Sequence, residues 1–127
     1  MISGIQDVYY SVHNSKRAIK FYTEALGMRL VNENEFWIVL DCKGVTVGLH
    51  PEKNPIPDIP RNSHGAQAGA TLTLKSDNIP EDRKKLEGFN AKILGEDDQD
   101  WGHVLVFEDP DGNVLKLMNP KHQEVHP

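Results

Sequence analysis

The stretch Asp7-Val8-Tyr9-Tyr10-Ser11-Val12-His13-Asn14 can be laid over Thr71-Leu72-Thr73-Leu74-Lys75-Ser76-Asp77-Asn78 at a constant offset of 64 residues, from 7 to 71. Both copies alternate like strands and are followed by a helix-start signal. A second landmark, Asp41-Cys42-Lys43-Gly44, lies over Asp109-Pro110-Asp111-Gly112 at an offset of 68, from 41 to 109. Each D-x-x-G sits between two apolar runs and reads as a hairpin turn. The chain is therefore written twice, in pattern more than in identity.

Working outward, the first copy predicts a strand over residues 5–12 and a helix capped by Asn14 or Ser15, with Gly27 just past its end. Ala18, Ile19, Tyr22, Ala25 and Leu26 form its apolar stripe. Strands follow near 28–33, over Phe36–Leu40 and over Val45–His50. The second copy repeats the order: a strand at 69–75, a helix from Pro80, then strands near 91–95, 103–108 and 113–118. The expected class is α+β, one domain of two βαβββ modules at about 1–50 and 67–120. A proline-rich linker, 51–66, joins them; Pro51 to Asn62 holds four of the eight prolines, which makes it extended and stiff. The tail from Lys121 is polar and loose.

A chain of 127 residues suits one compact domain. Its net charge of −5, with no Lys/Arg cluster on one element, argues against nucleic acid as partner. No apolar run reaches the roughly 18–20 residues of a membrane helix, and Met1-Ile2-Ser3-Gly4-Ile5 has no signal-peptide character. The expected location is cytoplasmic. The lone Cys42 can form neither an intrachain disulfide nor a Cys-type zinc site, and reads as a small buried hydrophobe.

Phe21-Tyr22-Thr23-Glu24-Ala25-Leu26-Gly27-Met28 and Asp109-Pro110-Asp111-Gly112-Asn113 are two further words in this tandem order. With them the chain resembles the vicinal oxygen chelate (glyoxalase/bleomycin resistance/dioxygenase) superfamily, over residues 5 to about 119. The resemblance implies a curved mixed sheet around a cleft, a small-molecule ligand and a homodimer. It leaves the chemistry open, since such folds serve isomerases, dioxygenases, thiol transferases and drug-sequestering proteins. It also places the family's four metal-ligand positions, on strands one, four, five and eight, at Asp7, Gly48, Thr71 and Lys116. Gly offers no donor, Thr is a poor one and an ammonium repels a cation, so no metal cofactor is expected. Asp7 and Lys116 are a candidate charge pair in its place.

Strand alternation then sorts the side chains. Val8, Tyr10, Val12, Phe36, Ile38, Leu40, Val45, Val47, Leu49, Leu72, Leu74, Leu115 and Leu117 read as core. Asp7, Tyr9, Trp37, Thr71 and Lys116 read as cleft residues that bind the ligand. Carrying the offset of 68 from Trp37 and Val39 to Leu105 and Phe107 adds Phe107 to the cleft and sets His103 at its rim. Flat apolar walls from Tyr9, Trp37 and Phe107 suit an organic ligand. His50 and His103 are the candidate acid–base groups. His13, His64, His122 and His126 read as solvated, and Glu96-Asp97-Asp98-Gln99-Asp100 as a solvated loop without an EF-hand pattern. Three functions compete: metal-free binding of a small organic molecule, a metal-dependent lyase, isomerase or dioxygenase with a rearranged set such as Asp7, His50 and His103, and metal-free acid–base catalysis by His50 or His103 aided by Lys116.

Overall fold

A computed structural model describes residues 1–63 and 65–121. His64, His122, His126 and the tail beyond Lys121 lie outside the described residues. The described chain divides into two compact units, Met1–Pro57 and Asp58–Pro127. In the first, β1 (Val8–Val12) leads to α1 (Ser15–Lys20), which continues as a π-helical turn, Phe21–Ala25. Then come β2 (Arg29–Glu33), β3 (Ile38–Cys42) and β4 (Val45–Pro51). The second repeats it with β5 (Leu72–Lys75), α2 (Ile79–Gly88), β6 (Lys92–Gln99), β7 (Gly102–Glu108) and β8 (Val114–Pro120). This is an α+β fold of tandem βαβββ units.

The two sheets share one topology. Their orders are β1-β4-β3-β2 and β5-β8-β7-β6, with the first pair parallel and the rest antiparallel. Even the irregularities repeat: β2 bulges between Leu30 and Asn32, and β6 between Ile93 and Gly95. A bulge bends and twists its strand locally.

Asn14 caps α1, its Oδ1 accepting the Arg17 N–H at 3.0 Å. Thr23 donates its hydroxyl back to the Ile19 carbonyl at 2.7 Å, and the Leu26 N–H reaches the Phe21 carbonyl at 3.1 Å, so the last turn is widened. Gly27 then takes φ +74°, which ends the helix. The buried stripe is Ala18, Phe21, Tyr22 and Ala25, with Ile19 and Leu26 half-buried at its border. Asn78 caps α2 the same way, accepting from Glu81 N and donating its amide to the Glu81 carboxylate. Tyr10, Val12, Ile38, Leu40, Val47 and Leu49 form the buried face of the first sheet.

Several expectations need correction. β1 starts at Val8, not residue 5, and β3 at Ile38, not Phe36. Phe36 is 69% exposed because it sits on the turn before β3, outside the ladder. Val45, at the mouth of its hairpin, is also exposed. The acidic run Glu96–Gln99 is no loop: it belongs to β6 and pairs with β7. The Lys121 N–H bonds the Trp101 carbonyl and its ammonium meets Asp98 at 2.6 Å, so this residue is tied down. Among the described residues, no helix is long and apolar enough to cross a membrane.

The segment read as linker has a folded second half. Arg61 bridges to Gln67, and Ala66 packs with Val104, Val106 and Val114. Buried Gln67 accepts the Val114 N–H at 3.0 Å and donates to the Ala70 carbonyl at 3.3 Å. Leaving that buried N–H without an acceptor costs on the order of 1–3 kcal/mol. Gln67→Ala should therefore lower unfolding free energy in urea by about that amount. A loss within error would show that 61–68 stands outside the cooperative core of the second unit.

Candidate functional site

The pairing register decides which side chains share a face. In the first sheet Tyr9 stands opposite Gly48, Ser11 opposite His50, and Val39 opposite Gly48. Ladder partners project to the same side, so these residues form one face and the buried Tyr10, Leu40, Val47 and Leu49 the other. Trp37 joins the exposed face because it precedes Ile38, which is opposite Leu49. A tight turn holds it there: Asn34 Oδ1 accepts the N–H groups of Phe36 and Trp37 at 2.8 and 2.9 Å, and Asn34 N–H donates to the Trp37 carbonyl at 3.0 Å.

The Trp37 indole lies directly on Gly48. A Cβ at that glycine would stand 2.4 Å from Trp37 Cζ2 and 3.0 Å from Cη2, closer than atoms pack. The Tyr9 ring meets the indole edge-on, centroids 5.1 Å apart at 67°, and His50 lies 6.2 Å away at 44°. His50 Nδ1 is 3.7 Å from the Glu52 carboxylate. The Asn54 backbone N–H holds the Glu52 carboxyl below its ordinary value, and the nearby His50 adds to this. The result is an aromatic platform with an imidazole and a carboxylate at one side, half-open to solvent; Tyr9 is 56% exposed.

In the second sheet, Thr73 and Val106 stand opposite Lys116, and Lys75 and Val104 opposite Met118. His103, Leu105 and Phe107 lie on the other face, opposite Asn119, Leu117 and Leu115. That face carries Glu96, which is opposite Leu105 and receives Arg83 of α2 at 2.6 Å. It is the helix face. Phe107 is therefore fully buried core and no cleft wall, and His103 does not share a face with Lys116. The error has a definite origin: the offset is 68 after the turn but 67 before it, since the second hairpin turn is one residue longer. Leu40–Val47 corresponds to Phe107–Leu115, and Asp41 to Glu108.

His103 Nε2 lies 2.7 Å from Glu96 Oε2, so the imidazole belongs to an ionic cluster with Arg83 and Glu87 on the helix side. Arg83 first, then His103, hold the Glu96 carboxyl below its ordinary value. Cys42 is half-buried; burial, then the Asp41 charge, push its thiol up, the opposite of an activated nucleophile.

The four positions that the family resemblance assigns to a metal do not fit a divalent cation. At Gly48 there is no donor, and the space a side chain would take is filled by Trp37. Thr71, just before β5, commits its neutral hydroxyl to the Gln67 carbonyl at 3.3 Å. Lys116 brings positive charge, and Asp7, half-buried just before β1, is the lone anion of the set. Among the described residues no three His, Cys, Asp or Glu side chains gather into a metal-holding group.

The sequence profile of the Glyoxalase/Bleomycin resistance protein/Dioxygenase superfamily matches residues 4–117. The chain belongs to this superfamily. It is 32% identical over 120 residues to the metallothiol transferase FosB of Staphylococcus haemolyticus, covering 92% of this chain and 84% of the relative. Among solved structures it resembles the fosfomycin resistance protein FosX of Listeria monocytogenes (TM-score 0.74, 14% identity, 95% and 96% coverage). A glyoxalase family protein from Enterococcus faecalis is similar at TM-score 0.73 and 22% identity, with 91% and 97% coverage. Both likenesses concern the fold.

Gly48→Ala should push the indole off its seat, changing the near-ultraviolet circular dichroism of Trp37 in a Trp101→Phe background and costing about 1–3 kcal/mol of stability. Gly95→Ala is the control, since a Cβ there meets nothing within 4 Å. An unchanged Trp37 signal in Gly48→Ala would refute the seating. For Glu96 the sign follows from its depressed carboxyl: the contribution is present above its ordinary value of 4.5 and lost as pH falls through the lower folded value. The stability gap between wild type and Glu96→Gln should thus be seen at neutral pH and close in strong acid, as read by urea unfolding at each pH.

Proposed function

We propose that this superfamily member binds a small organic molecule with a flat, apolar portion on the exposed face of its first sheet, without a metal ion. The observation that carries the reading is the Trp37 indole seated on Gly48 between Tyr9 and His50. A pre-positioned indole offers a large rigid contact at little ordering cost, and aromatic pairs add about 0.5–1.5 kcal/mol beyond area burial. His50, with Glu52 beside it, supplies a polar group that can orient the ligand by a hydrogen bond. Work as a cytoplasmic homodimer completes the proposal.

The relatives named for metal-dependent thiol transfer stand as the contrast. The donor set at Asp7, Gly48, Thr71 and Lys116 is what turns the reading away from their chemistry. A rearranged set of Asp7, His50 and His103 is disfavoured by the engagement of His103 with Glu96 on the helix face. The same placement weakens His103 as an acid–base group and leaves His50 as the candidate.

The test uses tag-free protein carrying Trp101→Phe, so that Trp37 alone reports. A panel of planar aryl compounds should yield ligands that quench Trp37, with binding unaffected by a chelator. Trp37→Ala should weaken those ligands by about tenfold or more, near 1.4 kcal/mol, as measured by calorimetry. Ligands that bind as well to Trp37→Ala, or that need an added divalent metal, would overturn the proposal.

A further inference from the structure

On the face of the second sheet turned away from α2, Thr73 stands opposite Lys116 and Lys75 opposite Met118. Lys75 and Lys116 are therefore diagonal neighbours on paired strands, with side chains roughly 7–8 Å apart at their bases. Two positive side chains rooted on neighbouring strands raise the potential of this face, which favours an anion there. Among the described residues of this unit, no carboxylate lies within 4.0 Å of either one. Three other cations of the unit do meet carboxylates. Arg61 meets Glu108 at 3.0 Å, Arg83 meets Glu96 at 2.6 Å and Lys121 meets Asp98 at 2.6 Å. Glu108 would be the natural partner, since it pairs with Val114 on the same face as Lys116, but Arg61 holds it.

The surroundings select the anion. Lys116 is half-buried, Val106 stands across from it on β7, and half-buried Met118 lies two residues along β8. Thr73, exposed beside it on β5, adds a hydroxyl. Val106 is covered by Ala66, so two ammonium groups and one hydroxyl next to the open part of Met118 suit a charged head on an apolar body. We infer that Lys116, Lys75 and Thr73 form a binding locus for a small organic carboxylate whose apolar part lies against the half-buried Met118. In a chain of net charge −5, this is a local reversal of sign. The locus stands independently of the Trp37 platform, and its test is separate.

Benzoate is the probe, with benzyl alcohol as its uncharged counterpart and inorganic phosphate as an anion without an apolar body. Backbone amide chemical shifts of the full chain are followed at low salt. Benzoate should move the amides around Thr73 and Lys116, and the alcohol and phosphate should move them at least tenfold less at equal concentration. Lys116→Met should weaken benzoate at least tenfold, while Lys116→Arg, which keeps the charge, should retain most of the affinity. Raising salt from about 20 to about 200 mM should weaken benzoate further, because exposed charges are screened over about 10 Å or less. No shift with benzoate, equal shifts with the alcohol or with phosphate, or undiminished binding to Lys116→Met each overturns the inference. Trp37→Ala reports on the aromatic platform alone and should leave the benzoate shifts at Thr73 and Lys116 in place.

Discussion

The pairing register of β4 with β1 and β3 is the constraint on which the first unit depends. Val47, Leu49, Ile38 and Leu40 are fully buried on one face. Each contributes on the order of 1.5–3 kcal/mol by leaving water. A one-residue slip would turn all of them outward, since side chains alternate with period two. The same ladder, with no freedom left, puts Tyr9, Gly48, His50 and Trp37 together on the opposite face. The candidate site is thus a by-product of core burial: its geometry is fixed by residues that never touch a ligand.

The second unit obeys the same rule with different contents. Its ladder buries Leu105, Phe107, Leu115 and Leu117 on the helix side. The far face carries Thr73, Lys116 and Met118, and Ala66 packs beside Val104 and Val106 there. Near the start of this unit, Ala66 and Gln67 fold onto this face, the latter through the Gln67–Val114 bond. One architecture therefore holds an aromatic surface in one unit and a cationic one in the other. The difference comes from outward positions alone, which the fold leaves free to vary.

Period-two alternation was legible wherever a strand carried its own apolar partner. Val47 with Leu49 and Leu115 with Leu117 lie on the buried faces that alternation assigns them, and of the two cap candidates for the first helix, Asn14 and Ser15, it is Asn14 that caps. What failed was transfer between copies. Asp41-Cys42-Lys43-Gly44 and Asp109-Pro110-Asp111-Gly112 look equivalent, yet the first hairpin turns through Lys43 and Gly44, both at positive φ. The second closes with Asp109 and Asn113 bonded to one another and adds a residue between them. That residue reverses every face on β7 relative to a constant offset of 68, which puts Phe107 and His103 on the helix side. The internal alternation of β7 held the corrective signal only when read against β8, because Val104 to Phe107 is apolar on both faces. The salt link from His103 to Glu96 and Arg83 joins three elements and has no local sequence signature.

Gly48 shows how the absence of a side chain can decide the packing around it. Any larger residue would collide with the benzene ring of Trp37, so the indole can lie flat on the strand only because this position is bare. Asn34 completes the arrangement by fixing the Trp37 backbone through two hydrogen bonds, which limits where the ring can go. Backbone anchor and bare floor together hold the ring before any ligand arrives. A surface held in this way loses little freedom on binding, and the affinity of a small molecule depends heavily on that saving. The same occupancy denies position 48 to a metal-ligating side chain, so seating the indole and coordinating a cation from that position are mutually exclusive. Of the four positions that the family resemblance assigns to a metal, Asp7 alone carries an anionic donor, whereas Tyr9, Trp37 and His50 are already assembled around Gly48.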